Sequence, residues 1–208
     1  MRAGAHTAGV ILALLFPGEA FAQSRLPAGD LVIDCQGAFA KTASHTTLVA
    51  AFGAKNVVYQ KVQDAEGETP MASVVFPNDP NKRAEFIWQK PKQRREPLVK
   101  TNGSSWRMPN GIHVGTTLKE VERSNRKPFR LSGFGWDLGG RVTDWNKGAL
   151  DQPLPGGCLV LVDFAADLKA PGRLIDKVTG DTSFGSNDPT MAAVKPRVAA
   201  MVIYYPGR

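Results

Sequence analysis

Two aspartates stand in an eighteen-residue stretch, "PFRLSGFGWDLGGRVTDW" (128–145), that is dense in glycine and tryptophan. Asp137 and Asp144 flank a predicted hairpin turn and could face each other as a general acid and a general base. Turn aspartates that accept hydrogen bonds from their own backbone are commoner in proteins. A small hydrolase that uses Asp137, Asp144 or His113 is therefore an alternative hypothesis, and the leading interpretation assigns no catalytic residue.

Metal and nucleophile chemistry have little support in the sequence. Beyond residue 22 the only histidines are His45 and His113, which are too far apart in sequence to form a multi-histidine motif. No H-E-x-x-H, C-x-x-C or G-x-S-x-G motif occurs. We expect no metal, no cofactor, and a surface or capping role for each histidine.

The tryptophans of the same stretch are predicted to differ in exposure. The apolar residues of this stretch change phase along the strand. Phe129 and Leu131 would point to one face of a regular strand, whereas the later set would point to the other: Phe134, Trp136 and Leu138. A bulge is therefore expected at one of the intervening glycines. An apolar triple of this kind is best buried, which predicts that Trp136 belongs to the core. Trp145 is then the better candidate for a partly exposed binding platform, and Asp137 in the turn is a further candidate binding residue.

A basic segment accounts for much of the net charge of +7. Residues 81–100 carry seven Lys or Arg against two Glu, and Lys92, Arg94 and Arg95 are the candidate binding residues within them. Such a patch favours an anionic partner: lipopolysaccharide, phospholipid or an acidic protein. The alternative is a solvated strand edge that lysine and arginine protect from edge-to-edge pairing. Because the chain is predicted to be exported, nucleic acid is not the expected physiological partner.

The N-terminal residues are typical of a secretory signal peptide. Arg2 precedes an apolar stretch (8–16), and Ala20-Phe21-Ala22 has the small-x-small pattern of a cleavage site. We expect residues 1–22 to be removed, the mature chain to begin at Gln23, and no transmembrane segment to remain. A periplasmic or secreted location makes Cys35 and Cys158 a predicted disulfide.

The chain contains two predicted helix-then-strands units. The segment 46–58 reads as a helix capped by Thr46 or Thr47, and Thr117 with Glu120 forms a predicted capping box for a second helix. Each helix precedes a series of strands, and the two late apolar strands are expected to be central in the sheet.

This order predicts an α+β fold of two related halves, 23–110 and 111–208, with helices on one face of an antiparallel sheet. A long loop is expected at 165–196, in which Asp188-Pro189 could open one short helix.

The segment "GIHVGTTLKEVERSNRKPFRLSGFGWDLGG" resembles one found in exported bacterial proteins of unassigned activity that share a GFGWDxGG pattern. More distantly, the two repeat starts are similar to the tandem helix-and-sheet repeats of the β-lactamase inhibitory proteins and the small outer-membrane assembly lipoproteins. The lipid-anchor cysteine of those lipoproteins is missing here, and no inhibitory residue can be matched. The resemblance implies a fold and a binding role, and it assigns no functional residue.

The sequence therefore predicts a non-enzymatic periplasmic or secreted binding protein, for an envelope protein or an anionic surface.

Overall fold

A six-stranded antiparallel sheet forms the frame of the protein in the computed structural model, which describes residues 31–63, 67–88 and 97–206. The strands of the first part of the chain are β1 (Leu31–Val32), β2 (Val57–Lys61), β3 (Met71–Val75), β4 (Ala84–Trp88), β5 (Pro97–Thr101) and β6 (Trp106–Arg107). The later strands are β7 (Arg130–Ser132), β8 (Val142–Asp144), β9 (Leu159–Ala165), β10 (Ser183–Gly185) and β11 (Arg197–Tyr204).

The six strands follow the order β2-β3-β4-β5-β11-β9, and every neighbouring pair is antiparallel. A three-stranded antiparallel sheet, in the order β10-β7-β8, meets the large sheet at a β-bridge between Arg141 and Asp163. Strands β1 and β6 pair in parallel as a small separate ribbon. The predicted α+β class with antiparallel sheets is therefore confirmed.

The expected place of the late strands is only partly correct. Strand β11 lies between β5 and β9, as expected of a central strand, but β9 lies at the end of the six-strand order among the described residues. Its side chains alternate between half-buried and buried rather than being buried on both faces. The two-halves repeat is not confirmed, because β7 and β8 belong to the smaller sheet.

Four α-helices are described: α1 (His45–Phe52), α2 (Leu118–Asn125), α3 (Gly172–Asp176) and α4 (Pro189–Ala193). Two short 3-10 turns, Gly37–Phe39 and Ala54–Asn56, flank α1. The predicted cap of α1 is wrong by a few residues: Ser44 is the N-cap, and its hydroxyl accepts from the Thr47 N–H at 3.2 Å. Thr47 instead completes the capping box, since its own hydroxyl oxygen accepts from the Ser44 N–H.

The capping box of α2 is confirmed. The Thr117 hydroxyl accepts from the Glu120 N–H, and the Glu120 carboxylate accepts from the Thr117 N–H at 2.9 Å. The Thr117 hydroxyl also donates to the Glu120 carboxylate at 2.7 Å, and this bond, with the smaller effect of the bond from the Thr117 N–H, lowers the pKa of Glu120 below its ordinary value. The helix ends at Asn125, and its C-cap, Arg126, adopts a left-handed conformation two residues before Pro128.

The segment 165–196 is not the long loop that was predicted. It contains α3, β10 and α4, and β10 pairs with β7. Asp188 opens α4 as proposed, because its carboxylate accepts from the N–H groups of Thr190 and Met191 and Pro189 occupies the first turn. The lack of a clear hydrophobic period in this segment reflects elements too short to repeat one.

The main core lies on one face of the large sheet. Its largest fully buried side chains are those of Trp106, Phe86 and Phe129. Alternation along the strands places a smaller buried cluster on the opposite face, formed by Val62, Ala72, Val74 and Ile87 with Leu98 packed against it.

The predicted disulfide between Cys35 and Cys158 is present, with Cα atoms 5.7 Å apart. It joins the start of the described chain to the residue before β9. No helix among the described residues is both long and apolar enough to cross a membrane. The predicted signal peptide and Gln23 lie outside those residues.

Candidate functional site

A tight turn between β7 and β8 presents the distinctive residues of the sequence. Gly135 and Gly140 adopt φ values of 82° and 75°, which L side chains rarely adopt. The Gly139 N–H donates to the Trp136 carbonyl at 2.8 Å, and Ser132 Oγ accepts from the Arg141 N–H at 3.1 Å. These bonds fix the conformation of residues 133–140, named here the Trp136 turn.

Trp136 is exposed, which contradicts the prediction that it belongs to the core. Its side chain is 40% accessible and that of Leu138 is 44% accessible. The indole N–H donates to the Gly133 carbonyl at 2.9 Å, so the ring is held in place although it faces solvent. The alternation of side chains does not predict burial here because β7 ends at Ser132. Of Phe134, Trp136 and Leu138, only Phe134 is buried.

Trp145 is half-buried, which agrees with a partly exposed position, but it is less exposed than Trp136, contrary to the predicted order. Its ring packs on Phe129 with centroids 5.1 Å apart. It also lines a small concavity of about 120 Å³ together with Leu150 and Leu154. The order of exposure of the two tryptophans is thus the reverse of the sequence-based expectation, because Trp136 is exposed.

A charged groove of about 340 Å³ lies next to the Trp136 turn, on the face of the large sheet opposite the main core. Asp137 of the turn lines it, and strands β4, β5, β9 and β11 form its floor. The charged and polar lining residues are Arg83, Glu85, Lys100, Thr101, Asn102, Asp137, Arg141 and Asp163, with Ala200 and Val202 between them.

The groove is organised by two ion pairs. Arg141 donates to both carboxylate oxygens of Asp163, at 2.8 Å each, and this hydrogen bonding raises the pKa of the guanidinium above its ordinary value. Arg83 donates to Glu85 at 2.7 and 3.1 Å. Because the side chains of both pairs are partly exposed, they remain accessible to a partner.

Positive and negative groups are balanced in this groove. Three cations (Arg83, Lys100 and Arg141) face three carboxylates (Glu85, Asp137 and Asp163). The cross-strand register sets Glu85 of β4 opposite Lys100 of β5, and Lys100 opposite Val202 of β11. The groove thus presents alternating charges on a rigid strand frame, although the whole chain carries a net charge of +7.

The three residues of the hydrolase hypothesis are not brought together. Asp144 pairs with Arg130 at the end of the hairpin away from Asp137, and its carboxylate accepts from the Asn146 N–H at 2.6 Å. The two aspartates therefore do not face each other, and Asp144 has the ordinary role of a turn aspartate.

His113 lies in another concavity, of about 250 Å³, which Glu120 and Arg123 also line. Its Nδ1 atom is 2.9 Å from the Gly111 carbonyl and 3.0 Å from the Thr116 hydroxyl. The other histidine, His45, contacts Ser73 through Nδ1 at 2.8 Å. Within the described parts of the chain, no cluster of three or more His, Cys, Asp or Glu side chains is arranged to hold a metal ion.

The predicted anion-binding residues Lys92, Arg94 and Arg95 fall in the segment 89–96, outside the described residues. Other members of the basic segment are described. Lys82 pairs with Asp79 at 3.5 Å, and both Arg83 and Lys100 line the charged groove.

Sequence reasoning missed the pair Arg141–Asp163, which joins the hairpin to β9. One signal for it was present: Asp163 interrupts the apolar run "CLVLVDF", where a charged side chain needs a partner. Nothing in the sequence identified that partner as Arg141.

Comparisons with known proteins give little further information. No family model matches the chain, and no curated protein matches it. Among solved structures, the crystal structure of the uncharacterized protein yfeY from Escherichia coli is similar at a TM-score of 0.43 and 10% identity, covering 86% of this chain and 97% of that one. This degree of likeness assigns no function.

Proposed function

We propose that this protein is a non-enzymatic binding protein of the cell envelope, which recognises an envelope protein through the Trp136 turn and the charged groove beside it. The observation that carries the proposal is the fixed exposure of Trp136 next to Leu138. Large apolar side chains exposed together on a surface mark interaction sites more often than isolated ones do.

Trp136 has the physical properties of an interface anchor. Its ring offers a large apolar area, and its hydrogen bond to the Gly133 carbonyl restricts its motion before any partner binds. A pre-ordered side chain loses little conformational entropy on association. Tryptophan is also among the residues that dominate binding energy at protein interfaces.

The balanced charges of the groove favour a protein partner over a polyanion. A polyanion would be repelled by Glu85, Asp137 and Asp163, whereas a protein surface can place a charge of the correct sign opposite each group. An anionic surface remains the predicted partner of the segment around Lys92, Arg94 and Arg95, and that prediction is separate from the groove.

An extracytoplasmic location is part of the proposal. The disulfide between Cys35 and Cys158 supports it, because such bonds persist in oxidising compartments and are rare in the cytosol. The predicted signal peptide, residues 1–22, agrees with export.

Site-specific photo-crosslinking in the native cell tests the proposal. A photoreactive phenylalanine analogue at Leu138 is expected to yield a discrete cross-linked envelope protein, which mass spectrometry identifies. The matched control places the same analogue at Leu168, which is 98% accessible and lies outside the Trp136 turn and the groove. The same products from both positions, or none from Leu138, would contradict the proposal.

Affinity measurements with the purified partner then test the anchor. We expect Trp136→Ala to weaken binding about 30-fold, because truncated hot-spot residues cost about 2 kcal/mol or more. Leu168→Ala should leave the affinity unchanged. An unaltered affinity for Trp136→Ala would show that the cross-linked protein is bound by another surface.

A further inference from the structure

A separate concavity of about 510 Å³, which shares no residue with the charged groove, lies between α2, α4 and the start of β11. Its walls are mainly apolar, and its volume is in the range of small-molecule sites. The lining residues are Thr117, Leu118, Lys119, Glu122, Ser186, Asn187, Ala192, Lys195, Pro196 and Arg197.

The walls of this concavity are held together by backbone hydrogen bonds. The Leu118 N–H donates to the Pro196 carbonyl at 3.0 Å, and the Gly115 N–H donates to the Val198 carbonyl at 2.8 Å. A further bond joins the third wall to α2, because the Ser186 hydroxyl donates to the Glu122 carboxylate. A ligand would therefore find the concavity already formed.

Three cations surround the apolar surface. Lys119 comes from the first turn of α2, Lys195 from the residues after α4, and Arg197 from the first position of β11. Arg197 donates to the Gly115 carbonyl at 2.8 Å, whereas neither lysine forms a salt bridge with any described residue. Glu122 is the one carboxylate among the lining residues, so the three cations outnumber it and positive charge is in excess at the rim.

The backbone at Lys195 adopts a φ of 48°. Glycine or asparagine would adopt this left-handed conformation more readily than lysine does. Lys195 follows the C-cap of α4, a position where a left-handed residue commonly ends a helix, so an asparagine there keeps the backbone conformation.

We propose that the concavity binds an amphiphilic anion, a single apolar chain that ends in a carboxylate. The chain would pack on Leu118, Ala192 and Pro196 and on the methylene stems of the basic residues. The carboxylate would lie between Lys119, Lys195 and Arg197, where charge-assisted hydrogen bonds are strong. This site is independent of the protein-binding groove.

Calorimetric titration with dodecanoate, below its micelle concentration, tests the proposal. Saturable binding of one molecule per chain is expected, and dodecanol should bind at least about tenfold more weakly because it lacks the charge. Butyrate should also bind more weakly, since it lacks most of the apolar chain. No saturable binding of dodecanoate, or equal binding of dodecanol, would overturn the proposal.

Lys195→Asn removes the charge and suits the left-handed backbone, so we expect about a tenfold loss of affinity for dodecanoate with no fall in Tm. The matched control is Lys147→Asn, because Lys147 also has a positive φ, 53°, but lies outside the concavity. The affinity of Lys147→Asn for dodecanoate should stay within about twofold of that of the wild type. Equal losses in the two variants would overturn the site.

Two further variants make the result independent of the backbone at residue 195. Lys119→Gln, at a position with ordinary helical backbone, should weaken the binding of dodecanoate about tenfold. Ala192→Trp should fill the apolar part of the concavity and abolish binding of dodecanoate, while Trp136→Ala should have no effect. Unchanged binding in both Lys119→Gln and Ala192→Trp would contradict the assignment.

Discussion

Trp136 and Trp106 form a matched pair of tryptophans that differ chiefly in burial. Each indole N–H donates to a backbone carbonyl, that of Gly133 at 2.9 Å and that of Lys82 at 2.8 Å. Trp106 is 1% accessible and packs edge-on against Phe39 and Phe52, whereas Trp136 is 40% accessible. Because their hydrogen bonds are alike, a comparison of the two isolates the contribution of burial.

We expect Trp106→Ala to lower the free energy of unfolding by about 3–5 kcal/mol, the range for large aromatics removed from a core. Trp136→Ala should lower it by only about 1 kcal/mol, since it loses mainly one hydrogen bond. Urea denaturation of both variants measures the difference. Similar losses would mean that Trp136 is a structural residue and would weaken its assignment as an interface anchor.

At the scale of elements, the Trp136 turn depends on a close approach of Gly140 to β9. The Phe164 N–H donates to the Gly140 carbonyl at 2.8 Å. A Cβ atom on Gly140 would lie 1.9 Å from the Phe164 carbonyl oxygen, so no larger residue fits. This contact sets Arg141 beside Asp163 and thereby completes the charged groove.

Gly140→Ala should therefore destabilise the protein by about 3 kcal/mol or more, because both the positive φ and the steric clash oppose alanine. The control is Gly111→Ala, where φ is 87° but no atom lies within 4 Å of an added Cβ. The free energy of unfolding of Gly111→Ala should be only about 1–2 kcal/mol below that of the wild type. Thermal or urea unfolding tests this, and equal losses would contradict the close-approach argument.

At the scale of the whole molecule, the two ends of the described chain meet at one point. Cys35 is bonded to Cys158, and the Tyr205 hydroxyl lies 3.2 Å from the Cys35 carbonyl and 2.5 Å from that of Phe39. Burial, with a smaller contribution from Asp34, raises the pKa of Tyr205 to about 12. The folded protein therefore favours the neutral hydroxyl.

The stability that Tyr205 contributes should be present at neutral pH and lost in alkali. Because its folded pKa is above the ordinary 10.0, the loss begins near pH 10 and continues as the pH rises towards about 12. Tyr205→Phe should be about 1 kcal/mol less stable at pH 8 and lack this part of the alkaline decline. Urea denaturation of both proteins from pH 8 to 11.5 should show the difference between their free energies of unfolding becoming smaller as the pH rises. A difference that stays constant would contradict the expectation.

The disulfide closes a loop with a sequence separation of 123 residues. In the chain-entropy model, its removal should lower the free energy of unfolding by about 4–5 kcal/mol. The double variant Cys35→Ala/Cys158→Ala measures this loss by urea denaturation. A reducing agent should destabilise the wild type and leave the double variant unchanged; a wild type insensitive to reduction would contradict the prediction.

Local features of this protein could be predicted from its sequence. The α+β class, the α2 capping box, the Asp188-Pro189 helix start and the Cys35–Cys158 bond all follow from short patterns or from residue chemistry. The cap of α1 was misplaced because Ser44, Thr46 and Thr47 are all good cap residues, and only the backbone conformation distinguishes them.

The tertiary structure alone decided which residues form the candidate sites. Trp136 is exposed rather than buried because β7 ends at Ser132, and beyond that residue the alternation of side chains no longer predicts burial. The ion pair of Arg141 and Asp163 and the concavity at Lys195 each depend on contacts between distant parts of the chain. Sequence patterns record the neighbours of a residue along the chain, whereas burial and charge pairing are set by neighbours in space.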